Sequence, residues 1–191
     1  MSNAAPTRTL DGVTLPEAGT YNFDPSHSQV GFVVRHLVVA KVRGSFDSYT
    51  GSITIGEDPA DSSVEVSIDT ASINTRDEQR DGHLRNPDFF DTENFPAMTY
   101  KSTSVKHEKG SRWLVDGELT IKGVTRSVPL EVELEGLTAD PWGNSRAVFS
   151  ASTQIDRDAF GLSWNQALET GGFLVGKDVK IEIELETIRQ A

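Results

Sequence analysis

Val179-Lys180-Ile181-Glu182-Ile183-Glu184-Leu185-Glu186 sets an apolar residue at every second position and a charged one after each. In an extended chain successive side chains point to opposite faces, so this stretch makes a strand with one greasy face and one solvated face. The same period recurs upstream, in Val128, Leu130, Val132 and Leu134, with Glu131, Glu133 and Glu135 on the wet side. Ala147, Phe149, Ala151, Thr153 and Ile155 repeat it, as do Trp113, Val115, Gly117, Leu119 and Ile121. Met98 and Tyr100 continue into Ser102 and Ser104, and Val64, Val66 and Ile68 alternate with Glu65, Ser67 and Asp69. Nearer the N-terminus a strand runs from Val42 through Phe46 to Ile53 and Ile55, with Gly44 and Gly51 as bend points. Tyr21 and Phe23, then Val30, Phe32 and Val34 between Gln29 and His36, complete about eight such stretches.

Turn chemistry joins them: Glu57-Asp58-Pro59, Lys109-Gly110, Lys122-Gly123 and Asp140-Pro141-Trp142-Gly143. Connections this short link antiparallel neighbours. A meander of eight strands has two open edges unless the first meets the last. The chain is therefore expected to be all-β, an eight-stranded antiparallel up-and-down barrel rather than a two-layer sandwich. A barrel of that size is either filled by side chains or wide enough for one slender ligand. Gly117, Ala151, Ser102 and Ser104 at inward positions favour a hollow interior.

The 191 residues suit one domain, with residues 1–18 as a flexible lead-in and 19–191 as the barrel. The net charge of −11 disfavours nucleic acid and anionic membrane surfaces as partners. There is no cysteine, so thiolate chemistry and Cys-based metal sites are excluded. Residues 1–17 hold no apolar run of the signal-peptide kind and no stretch suits stable membrane insertion, which points to a soluble cytoplasmic protein.

Two segments break the alternation. Between the third and fourth strands, Thr75 and Glu78 have capping-box spacing, which predicts a short helix from Arg76 to Arg85 ended by Asn86-Pro87. The helix is polar except for Leu84, and Phe89, Phe90 and Phe95 gather at its end. Before the last strand, Arg157 to Lys177 is too long and too aromatic for a plain connection and is expected to be an ordered capping loop. Its Gly171, Gly172 and Gly176 lack the Lys-Ser/Thr of a phosphate cradle.

Several of these residues form a recognisable set. Asp24-Pro25-Ser26-His27-Ser28, Gly31-Phe32, Arg35-His36-Leu37 and Lys41-Val42-Arg43-Gly44-Ser45-Phe46 resemble the YceI-like family. So do Arg80-Asp81-Gly82-His83-Leu84, Asp88-Phe89-Phe90-Asp91, Leu119-Thr120-Ile121-Lys122-Gly123-Val124-Thr125, Trp164-Asn165 and Leu168-Glu169-Thr170-Gly171-Gly172. The resemblance implies a lipocalin-like barrel that binds, for sequestration or transport, a polyisoprenoid such as an isoprenoid quinone, or another long-chain lipid. No separate cofactor is implied.

Candidate wall residues are Phe32, Val34, Phe46, Met98, Tyr100, Trp113, Val115, Phe149 and Ala151. Leu84, Phe89, Phe90, Phe160, Trp164, Leu168 and Phe173 are the candidates for the caps. Arg35, His36, Arg80 and His83 are candidate head-group contacts, since arginine binds phosphate in a bidentate way. The arginines equally suit pairing with local carboxylates. The alternative reading is an enzyme or metal centre at a barrel mouth built from His36, His83 and Glu78. Asp24, Ser26 and His27 sit too close on one turn for a convincing catalytic triad, and the sequence leaves a homodimer open.

Overall fold

The computed structural model describes Ala5 and residues 7–191. Its strands in chain order are β1 (Thr7–Leu10), β2 (Val13–Pro16), β3 (Gly19–Phe23), β4 (Gln29–His36), β5 (Ala40–Phe46), β6 (Tyr49–Ile55), β7 (Ser63–Asp69) and β8 (Ile73–Asn74). After helix α1 (Glu78–Arg85) come β9 (Ala97–Lys109), β10 (Arg112–Ile121), β11 (Val124–Ser127), β12 (Leu130–Ala139), β13 (Ser145–Asp156) and β14 (Val175–Arg189). All pairings between these strands are antiparallel. β14 closes the ring, because it pairs β13 on one side and both β3 and β4 on the other. β3 with β4, and β5 with β6, each act as one bent wall strand, so the closed antiparallel barrel has eight walls.

The break between β3 and β4 is the single turn Pro25–His27, capped by Asp24, whose carboxylate accepts from Ser26 N at 3.1 Å. Arg146 locks this seam from outside: it donates to Asp24 at 2.8 Å, Glu186 at 2.5 Å and Asp140 at 3.1 Å. Hydrogen bonds from Ser26, His27 and Arg146 hold the Asp24 carboxyl far below the usual range. Asp140, bonded chiefly by Asn144 and also by Arg146, is lowered to about 2.

Three expectations need correction. Residues 7–16, taken as lead-in, form a hairpin over one barrel end, and Leu15 is buried. Its turn residues Asp11 and Gly12 have φ of 50° and 80°, the conformation that an Asp-Gly pair favours in a tight hairpin. Arg8 bonds the carbonyls of Pro16, Glu57 and Gly56 and pairs with the Glu57 carboxylate at 3.2 Å. Residues 1–4 and 6 of the same lead-in lie outside the described residues.

The helix, secondly, starts at Glu78 with Asp77 as its cap, accepting from Arg80 N at 3.0 Å. Arg76 has a left-handed φ of 63°, so no helix begins there. Thr75 donates from both its N–H and its hydroxyl to buried Asp81, at 2.9 and 2.5 Å, in place of a capping box with Glu78. Thirdly, Ser104 opposes Asp116 and Ser102 opposes Gly117, so β9 carries an extra residue, Thr103. Such a bulge reverses which alternate side chains face inward. Ser104 accordingly faces outward, donating to Asp116 at 2.9 Å, and Val105 turns into the barrel.

Candidate ligand bore

The inward side chains enclose a cavity of about 290 Å³ with an almost wholly apolar lining. Val30, Phe32 and Val34 of β4 face Met98, Tyr100 and Val105 of β9 and Trp113 and Val115 of β10 around it. Phe149 and Ala151 of β13 and Ile181 and Ile183 of β14 complete the middle. Leu15 and Pro16 of the hairpin line it at one end, and Ile73, Leu84, Phe89, Phe90 and Leu162 line it at the other. All nine candidate wall residues therefore line the bore, with Leu84, Phe89 and Phe90 of the candidate caps.

The small inward residues behave unequally. A Cβ at Gly117 would overlap the Tyr100 ring and one at Gly44 the Phe32 ring, while one at Gly51 would lie 2.5 Å from Phe23. At these positions an aromatic ring of a neighbouring strand occupies the vacated space, and glycine there supplies packing room and no void. Tyr100 reaches through the gap so that its hydroxyl lies 3.0 Å from the Val128 carbonyl and 3.2 Å from that of Val115, and burial pushes its pKa up. Ser102 spends its hydroxyl on Val64 N at 2.9 Å. Of the four small residues, Ala151 alone lines the cavity.

The other cap candidates lie outside the bore. Phe160 is buried in the turn Arg157–Phe160, beneath the cap. Trp164 lies across its outer side, with ring centroids 4.7 Å from His83 and 5.5 Å from Phe89. Leu168 sits half-buried on the loop, and Phe173 projects into solvent. What holds the cap is a residue that periodicity could not single out. Arg157, buried and at the bore's end, donates to the carbonyls of Gly176 at 2.8 Å, Trp164 at 3.0 Å and Val175 at 3.4 Å, and also to that of Leu162. Burial lowers its pKa, and these carbonyls take the place of a close carboxylate.

The candidate head-group residues do not converge on the bore. Arg35 lies on the outer face, beside Gly176. His36 is half-buried at the end of β4, opposite Val175. Arg80 is committed to Thr75, with its Nε 2.7 Å from the hydroxyl and another nitrogen 2.9 Å from the carbonyl. His83 bonds Asp88 at 2.9 Å and packs edge-on against Phe89 and Trp164.

His36, His83 and Glu78 are not brought together as a metal-ligand group either. Among the described residues, the group whose ligand atoms approach within 4.8 Å is Asp24, His27 and Glu186, and does not include His36, His83 or Glu78. Arg146 already supplies the positive charge there. Ser26 and Asp24 contact the same His27 nitrogen, at 3.1 and 3.0 Å, whereas a proton relay needs them on opposite nitrogens.

Comparison with known proteins places this geometry. A family profile described as YceI-like domain matches residues 21–187. A UPF0312 protein of Staphylococcus aureus (strain N315) is 40% identical over 170 residues, covering 87% of this chain and 95% of the relative. The crystal structure of Burkholderia cenocepacia BcnA superposes with a TM-score of 0.76 at 24% identity, over 86% of this chain and 98% of that one. A structure described as a polyisoprenoid binding domain from Saccharophagus degradans gives a TM-score of 0.65 at 17% identity, over 91% and 100%. No helix among the described residues is long and apolar enough to cross a membrane.

Proposed function

The chain belongs to the YceI-like domain family, and on that premise we propose that it binds a long-chain amphiphile of the polyisoprenoid class in its bore, carrying or sequestering it. The observation that carries this reading is the cavity itself: about 290 Å³, apolar in its lining and bounded by wall strands, with the hairpin at one end and the cap at the other. The structural likeness to a protein described as polyisoprenoid-binding supports the ligand class. An isoprenoid quinone is one cargo of that class.

An apolar tail gains about 25 cal/mol per Å² removed from water, so burial of roughly 300 Å² supplies about 7 kcal/mol before ordering costs. Affinity then grows with tail length, and no charged contact is needed. The proposed role is binding without turnover and without a separate cofactor.

Mass spectrometry of organic extracts from natively purified protein identifies the cargo. Ala151→Phe, which adds a ring to the bore's wall, is expected to cut uptake of a long-chain isoprenoid at least about tenfold while the thermal midpoint is kept. Wild-type uptake by a folded Ala151→Phe protein would overturn the reading.

A further inference from the structure

We propose that the tip of the β4–β5 hairpin, with the adjoining tip of the cap loop, docks on a phospholipid bilayer. Leu37, Val38 and Val39 are 46, 60 and 80% exposed and Phe173 is 58% exposed, four of the six large hydrophobic residues exposed among the described residues. They belong to one surface. Leu37 N donates to the Leu174 carbonyl at 2.9 Å, and a Cβ on Gly172 would lie 3.7 Å from Val38 Cγ2.

The turn is built against local preference. Leu37 and Val38 have φ of 50° and 67°, much like Asp11-Gly12 at 50° and 80° and Lys122-Gly123 at 50° and 74°. Those two turns end in the glycine that the left-handed region favours, whereas this one places a β-branched residue there. Both backbone conformation and solubility would be better served by Asn-Gly. The chain instead displays three consecutive large apolar side chains on a projecting loop, the mark of an interaction surface.

The flanking charges select the partner. Arg35 and Lys41 stand directly opposite each other across the hairpin, an arrangement that is repulsive for like charges. Among the described residues neither has a carboxylate within 4.0 Å, while Arg43 and Lys180 share Glu182 and Lys177 has Asp158. An apolar tip below two free cations complements a lipid interface, whose acyl boundary takes the side chains and whose phosphates take the charges. A second copy seated tip to tip would bring the two cationic pairs together.

The surface is also continuous with the bore. β4 sends Val30, Phe32 and Val34 inward, and bore-lining Val175 pairs with His36 at the root of the tip. Docking therefore brings the capped end of the bore to the bilayer. It goes beyond the binding reading and is testable without it.

Flotation of the full chain with vesicles of pure phosphatidylcholine tests the proposal. Wild type is expected to float, and the triple variant Val38→Asp/Val39→Asp/Phe173→Asp to lose about tenfold or more in vesicle partition at an unchanged thermal midpoint. On vesicles that also carry phosphatidylserine, whose surface is negative, Arg35→Gln/Lys41→Gln is expected to lose about threefold. Trp142→Ser, in an exposed turn at the opposite end, and Ala151→Phe, in the bore, are expected to float like wild type, which separates this proposal from the ligand reading. Wild-type flotation by the triple variant would overturn it, and so would no flotation of wild type. A wild-type dimer that the triple variant dissolves, without vesicle binding, would assign the surface to a second copy and overturn it as well.

Discussion

β14 and the segment just before it, residues 157–174, are joined without a break, yet they are held in place differently. Along β14 the ladder to β13 runs unbroken from Asp178 to Ile188, and the inward valine, isoleucine and leucine share one greasy surface with many neighbours. Along the segment, carbonyls that no ladder pairs converge on single side chains. Arg157 gathers two of them, those of Leu162 and Trp164, together with the Val175 and Gly176 carbonyls where β14 begins, and Asn165 brackets Val175 by accepting from its N–H at 3.0 Å and donating to its carbonyl at 2.7 Å. The wall distributes its stability, whereas the cap concentrates it.

Breaking the cap should therefore be the costliest change. Arg157→Met leaves buried carbonyls without donors and is expected to lower stability by about 3–5 kcal/mol in chemical denaturation. Amide exchange should rise first in residues 157–174, and uniform loosening of the barrel would contradict the contrast. In the wall the sensitive places are where a ring lies over a glycine. Gly117→Val is expected to cost about 1–3 kcal/mol by driving its side chain into Tyr100. Ordinary wall positions should give way easily, with Ile183→Val losing about 1 kcal/mol.

How much of this was legible follows the same division. The period of two in 179–186 and its repeats carried the wall, the closure and the inward faces of β4, β10, β13 and β14. Parity failed in β9 at Thr103, because a bulge has no composition signal that alternation can carry. The hairpin over 7–16 had a legible mark in Asp11-Gly12, overshadowed by the polar small residues around it. Side chains that serve the cap, such as Arg80 and Arg157, look in sequence like any surface arginine. Their partners are backbone carbonyls, joined for Arg80 by the Thr75 hydroxyl, and carbonyls leave no trace in the letters.

The smallest expected effect sharpens the contrast from outside the barrel. The Asp24 and Asp140 carboxyls titrate lower in the folded chain than their ordinary value of 3.8. The stability they contribute is thus fully present above about pH 4 and is lost as pH falls through about 2 and below. Thermal midpoints measured across that range should fall, and the gap between wild type and Arg146→Met should narrow as the carboxylates become protonated.

That β14 pairs the first wall and the penultimate one has a consequence for synthesis. Until residue 189 has left the ribosome the cylinder lacks the stave that joins its two margins, so a nascent chain carries an unfinished sheet with exposed rims. Closure waits for this strand, and shielding from neighbouring polypeptides matters most in the interval before it.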